Sequence, residues 1–179
     1  MRKLKTEELR RISVEEFKKS QKLPLVIVLD NIRSLNNIGS IFRTADAFRI
    51  EEIHLCGITA CPPHREIHKT ALGATESVKW IYHKNTADSI KILKEKNYSI
   101  ISLEQTNNST LLNNFKVNPN SKYALVLGNE VNGVDDEIIE KSDFCVEIPQ
   151  VGTKHSFNVT VSAGIAIYAI ALKLNYLKL

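Results

Sequence analysis

Leu25-Val26-Ile27-Val28-Leu29 runs straight into Asp30-Asn31-Ile32-Arg33-Ser34-Leu35-Asn36-Asn37-Ile38-Gly39. The first part is a continuous apolar run rich in β-branched residues. Its length and composition suit a strand buried on both faces, as in a parallel sheet. The second part is polar and then turns helical, because Ile38, Ile41, Phe42, Ala45 and Phe48 recur along one helix face. Strand followed by helix is the repeating unit of an α/β fold.

The alternation continues outward from this passage. Strands are expected at Ile53–Cys56, Val78–Tyr82, Tyr98–Leu103, Tyr123–Leu127 and Phe144–Ile148. Helices are expected at His64–Leu72, Ala87–Lys96, Asp135–Lys141 and Ser156–Leu177, with Gln105–Ser109 as a polar loop. Upstream, Thr6 to Gln21 reads as one or two short helices, and Ser13-Val14-Glu15-Glu16 has the capping-box pattern. The expected fold class is therefore α/β, a mostly parallel sheet flanked by helices. One boundary is visible, near Lys22–Pro24. It divides a basic N-terminal helical arm, residues 1–23, from a single domain, residues 24–179.

Charge is unevenly placed. Residues 1–22 hold eight Lys/Arg, including Arg10 and Arg11, against four Glu, which accounts for the whole net charge of +4. Such an arm suits a polyanionic partner, although a solvated helix of mixed charge has the same composition. Three cysteines, with no CxxC pair, fit free thiols in a reducing compartment. The N-terminus carries no apolar segment after Met-Arg-Lys-Leu-Lys, and no apolar run reaches the ~18 residues of a membrane span. A cytoplasmic protein without a membrane partner is the expectation.

Several familiar sites are set aside on chemistry. The first strand-to-helix turn has one glycine where the dinucleotide fingerprint needs three. Gly128-Asn129-Glu130-Val131-Asn132-Gly133 has phosphate-loop spacing, but Val134-Asp135 stands where Lys-Ser/Thr is needed, and Glu130 would repel phosphate. His54, Cys56, Cys61, His64 and His68 have spacing within reach of zinc, yet buried cysteines and surface histidines explain them as well, and no metal is assigned. Asn107-Asn108-Ser109-Thr110 contains glycosylation sequons that carry no weight without a leader.

Three segments place polar residues where an apolar strand ends: Asn37-Ile38-Gly39-Ser40-Ile41-Phe42-Arg43, Gly128 to Gly133, and Ile148-Pro149-Gln150-Val151-Gly152-Thr153-Lys154-His155-Ser156-Phe157-Asn158-Val159. Loops at the C-terminal ends of parallel strands are where open α/β sheets bind ligands. In order and spacing the three resemble the motifs of the SpoU (TrmH) family of SPOUT methyltransferases, close to N-x-G-x-x-x-R, G-x-E-x-x-G and I-P-x-x-G-x-x-x-S-L-N-V. The resemblance runs from about Leu25 to the end of the terminal helix. It departs at Phe157, where the family usually has Leu, which keeps an apolar wall and adds bulk.

The resemblance implies a C-terminal deep trefoil knot, an exception to the rule of unknotted chains. It implies S-adenosylmethionine as cofactor, lined by Leu127, Gly128, Ile148, Val151 and Phe157. The reaction implied is methyl transfer to a ribose 2′-oxygen of RNA; the short basic arm and compact size somewhat favour tRNA over rRNA as its target. Arg43 is implied nearest the chemistry, as base or as orienter through a phosphate; arginine stays protonated, which favours the phosphate. Asn37 and Glu130 would position Arg43 and the substrate, and Ser156 and Asn158 would bond near cofactor or ribose. Helix capping is the other reading for Asn37 and Ser156. Arg65 and Lys69 are candidate phosphate contacts, or an exposed helix face. A homodimer is implied as well, with the small residues Ala163, Gly164, Ala166, Ala169 and Ala171 permitting close helix packing; a buried core helix has the same pattern. The alternative function is a catalytically silent RNA-binding protein on the same fold.

Overall fold

The computed structural model describes residues 1–9 and 11–177; Arg10 lies outside them. Among the described residues seven strands form one sheet: β1 (Leu23–Asp30), β2 (Ile50–Cys56), β3 (Trp80–His83), β4 (Tyr98–Leu103), β5 (Thr110–Leu111), β6 (Lys122–Leu127) and β7 (Phe144–Glu147). Their order is β3-β2-β1-β6-β4-β7-β5. Every pairing is parallel.

The apolar run of β1 is continuous because both of its faces are covered. Leu25, Ile27 and Leu29 enter the larger core with residues of α2 (Leu35–Ala47), α3 (Arg65–Ala71) and α7 (Val159–Lys173). Val26 and Val28 enter the smaller core with residues of α5 (Thr86–Glu95) and α6 (Asp136–Lys141). The sheet is thus the middle of three layers, as parallel sheets require.

The connections diverge at one point. After β1 the chain crosses one face through α2 to reach β2. After β6 it crosses the other face through α6 to reach β7 on the far side. β1 and β6 are neighbours, so their C-terminal loops part company between them.

The N-terminal arm is not detached from the domain. Helix α1 (Val14–Lys19) has the expected capping box at Ser13, and its Phe17 is buried in the larger core. The Tyr176 hydroxyl donates to the Gln21 carbonyl at 2.8 Å, tying the arm to the C-terminal segment.

Three elements differ from the sequence expectation. α4 (Ala74–Ser77) and β5 are four and two residues long, too short to show a period. The terminal helix begins at Val159 rather than Ser156, because Asn158 is its cap: the Asn158 Oδ1 accepts from the Thr160 N–H at 2.9 Å. Likewise Ser34, not Asn37, caps α2, accepting from the Asn37 N–H at 3.3 Å. Capping therefore explains neither Asn37 nor Ser156. In α7, Ala163, Ala166 and Ala171 are spent on the protein's own core.

Candidate active site

The loops that follow β4, β6 and β7 converge on a cavity of about 530 Å³. Leu103, Leu127 and Ile148 supply its apolar surface, Gly128–Gly133 one wall, and His155–Asn158 another.

The Gly128–Gly133 wall is closed on itself. Asn129 and Gly133 exchange backbone hydrogen bonds, each 2.9 Å. The Asn129 side chain accepts from the Val131 and Asn132 N–H groups at 2.9 and 3.1 Å and donates to the Asn31 carbonyl at 2.7 Å. A β-carbon on Gly128 would overlap the backbone of Gly133 and Val134, so the loop closes only over a bare position. Gly133 itself has φ +72°. Behind the loop, Glu104 accepts from the Val134 N–H at 3.0 Å and the Gln105 N–H at 2.8 Å.

Glu130 joins this wall to α2. Its carboxylate accepts from the Arg33 and Ser34 N–H groups, both at 3.0 Å, and from the Asn37 amide at 2.9 Å. The donors lie at the start of α2, where a helix favours negative charge. Burial raises the Glu130 pKa, but the hydrogen bonds from Arg33, Asn37 and Ser34 outweigh it, and the carboxyl titrates below its ordinary range. The chain continues through Asn37, whose Oδ1 accepts from the Asn158 amide at 3.3 Å. Glu130, Asn37 and Asn158, one from each motif, thus form one hydrogen-bonded row.

The third loop is different. Residues 151–158 are exposed throughout. Besides Asn158, a hydrogen bond from the Gln105 amide to the His155 carbonyl, 2.7 Å, holds it to the body. The ionisable residues lining the cavity are Glu104, Glu130, Glu147 and His155, with no Lys or Arg among the described residues. Such a lining favours a cationic ligand and disfavours phosphate.

The cavity gathers Leu127, Gly128, Glu130, Ile148, Ser156, Phe157 and Asn158, and Asn37 adjoins it through Glu130 and Asn158. Val151 is fully exposed and outside it. Arg43 is exposed on α2 and also outside it. Arg65 and Lys69 are exposed on α3, and Arg11 is exposed in the arm. The sequence does not single out Glu104 or Gln105, and Asn129, though part of the second motif, carries no assigned role there. Glu104 and Gln105 carry the signal used elsewhere, polar residues directly after an apolar strand.

The zinc candidates do not assemble. His54 is buried, with Nδ1 2.7 Å from the Ser89 hydroxyl and Nε2 3.4 Å from Glu52. Burial pushes the Cys56 thiol up to about 12. Among the described residues no three His, Cys, Asp or Glu are grouped to hold a metal ion.

The model of the SpoU rRNA Methylase family matches residues 24–168. The chain belongs to this family. It is 35% identical over 164 residues to an uncharacterized tRNA/rRNA methyltransferase of Borreliella burgdorferi, covering 92% of this chain and 70% of that one. It is 29% identical to a putative TrmH family tRNA/rRNA methyltransferase of Staphylococcus saprophyticus, covering 92% and 65%. The chain thus spans about two thirds of these relatives' length. Among solved structures, the TrmH/SpoU tRNA modifying enzyme of A. aeolicus superposes with TM-score 0.78 at 25% identity, covering 90% of this chain and 80% of the other. The AdoMet-bound rRNA methyltransferase of Sinorhizobium meliloti shares the fold, with TM-score 0.78 at 24% identity over 87% of this chain and 59% of the other.

Proposed function

We propose that this SpoU-family protein transfers a methyl group from S-adenosylmethionine to a ribose 2′-oxygen of RNA, acting as a homodimer, with tRNA favoured over rRNA. The observation that carries the reading is the Glu130–Asn37–Asn158 row at an acidic, apolar-lined cavity.

The residues present fit the cofactor. A volume of about 530 Å³ is in the range of small-molecule sites. Leu127, Ile148 and Phe157 offer apolar surface for a purine, and Gly128, closed against the backbone of Gly133 and Val134, fixes the loop that forms the adjoining wall. Glu104, Glu130 and Glu147 complement the positive charges of a sulfonium and an amino group. When bound, S-adenosylmethionine supplies an electrophilic methyl group.

The remaining work falls to the chain. Glu130, held as an anion by three donors, is a weak proton acceptor, so its role is to fix Asn37 and the start of α2. The Ser156 hydroxyl, exposed at the cavity, is available to hold the ribose or the cofactor. Arg43, outside its own subunit's cavity, contacts the RNA phosphate and so orients the 2′-hydroxyl. Arg65 and Lys69 add phosphate contacts beside it, as do Arg10 and Arg11 from the arm; Arg10 lies outside the described residues.

The dimer reading rests on the exposed side of α7. Val161, Ile165, Tyr168 and Leu172 are 48%, 38%, 52% and 48% exposed and recur at helical spacing, an apolar stripe that is largely uncovered, with Tyr168 meeting the Phe48 ring edge-on at 6.3 Å. The knot is proposed from membership of the family alone; within the chain, α7 is held by Asn37 at its start and by a hydrogen bond from Lys173 to the Asn113 carbonyl near its end. A cytoplasmic location follows from RNA as substrate; no described helix is long and apolar enough to cross a membrane.

Tritium transfer from labelled cofactor to bulk tRNA and rRNA, with calorimetry of cofactor binding, tests the proposal. Binding with transfer to tRNA is expected. Cofactor binding without transfer to either RNA leaves a silent RNA-binding protein; absence of both cofactor binding and transfer overturns the enzyme reading.

A further inference from the structure

A second cavity, about 490 Å³, lies on the other side of the Gly128–Gly133 loop. It opens where the chain leaving β1 and the chain leaving β6 part to opposite faces of the sheet, between Asp30–Arg33 and Asn129–Asp135. A divergence of this kind is where open parallel sheets bind ligands. The S-adenosylmethionine cavity lies one step away, over β6, β4 and β7, so the divergence point is left for something else.

We propose that this second cavity holds one unstacked base of the RNA, a neighbour of the nucleotide being methylated. The inference rests on the RNA reading above and adds a base-selective subsite to it. Ile58 and Val131 are 64% and 76% exposed, and both line the cavity. Two apolar side chains at the mouth of a polar pocket suit the faces of a flat heterocycle. Ile58 is held in place: its N–H donates to Asn31 Oδ1 at 3.2 Å, and the adjacent Gly57 carbonyl accepts from the Tyr82 hydroxyl at 3.1 Å.

The polar groups read as base-directed rather than phosphate-directed. Asp30 is buried, and its two oxygens are consumed by Asn31, Thr86 and the Asp135 N–H. Asp135 uses Oδ1 on the Glu137 N–H at 3.0 Å, which leaves Oδ2 as an acceptor. With two carboxylates against the one Arg33, the lining disfavours a phosphate inside. A carboxylate oxygen accepts from the exocyclic amino group of a base, and single-stranded RNA is recognised through splayed bases of this kind. The subsite therefore prefers cytosine, which has the amino group, to uracil, which lacks it. Arg33 is exposed at the rim, where the adjoining phosphate belongs.

The experiment titrates the 179-residue chain, carrying ¹³C-labelled isoleucine methyl groups, with the RNA trinucleotides CCC and UUU. The Ile58 methyl signal is expected to shift saturably, and more tightly with CCC. Ile58→Ser weakens CCC binding about tenfold. Asp135→Asn, which keeps the cap of α6 because Asn caps as well as Asp, erases the preference for CCC. An Ile58 signal unmoved while that of Ile148 shifts places nucleotides in the first cavity alone and overturns the proposal. So does equal binding of both trinucleotides by the wild type. Methyl transfer measured in parallel separates the two ideas. Transfer with no response at Ile58 keeps the enzyme and removes the subsite; a base-selective response at Ile58 without transfer keeps the subsite and removes the enzyme.

Discussion

The second and third motif loops face each other across one cavity and are built on opposite principles. Gly128–Gly133 is closed by paired backbone bonds, by the Asn129 side chain, and by the Glu104 and Glu130 carboxylates on either flank. Residues 151–158 are exposed along their whole length, and His155 and Asn158 supply their ties to the body. The contrast teaches a division of labour. The closed loop presents a fixed surface to the cofactor before it arrives. The open loop has few bonds to lose, so it is the part that cofactor contacts can order.

The largest effect should come from breaking the closed loop. Gly128→Ala forces a methyl group into the backbone of Gly133 and Val134. A loss of about 1–3 kcal/mol is expected from thermal unfolding, together with loss of cofactor binding by calorimetry. Next is Glu130→Gln, which removes the charge behind three hydrogen bonds. A cost of about 1 kcal/mol is expected, kept small because the group is open to water. Its pH dependence sharpens the claim. The Glu130 pKa is lowered on folding from its ordinary 4.5. Its stabilisation is therefore fully present above that value and lost as pH falls through the folded value. Urea denaturation at pH 7 should separate wild type from variant, and the two should converge as the medium becomes more acidic.

The open loop should respond differently. Asn158→Ala removes the α7 cap and the bond to Asn37, for about 1 kcal/mol in chemical denaturation. Gln105→Ala frees the His155 carbonyl; global stability should fall by about 0.5 kcal/mol, while amide exchange over residues 150–157 speeds up. Val151→Ala is expected within about 0.5 kcal/mol of wild type, with unchanged cofactor affinity, because the side chain touches nothing in the cavity. A large loss of affinity there would show that the open loop closes over the ligand through Val151.

Much of the fold was readable because its signals are local. The Leu25–Leu29 run announces a strand covered on both faces, and Ser13 with Glu16 announces a helix start. The start of α7 was not, since Ser156 and Asn158 are equally good caps on paper and the choice rests on which side chain reaches Thr160. The alanines of α7 fit an interface and a buried core equally, because composition does not say which side of a helix faces inward; Ala163, Ala166 and Ala171 face the core, and the exposed side carries Val161, Ile165, Tyr168 and Leu172. In the site, the motifs identified which residues matter but not where they point. Arg43 follows Asn37 by six positions, which turns it about 120° away on a helix, so a shared motif does not give a shared cavity. Glu104 and Gln105 belong to no quoted motif, and their part emerges only when β4 is placed between β6 and β7.

The most direct test of the central claim is the chemical position of the transferred methyl group. RNA labelled from the cofactor is hydrolysed in alkali, which needs a free 2′-hydroxyl at each cleaved linkage. The account predicts that the label is recovered in alkali-stable dinucleotides. Label recovered in mononucleotides, with the methyl group on a base, contradicts it.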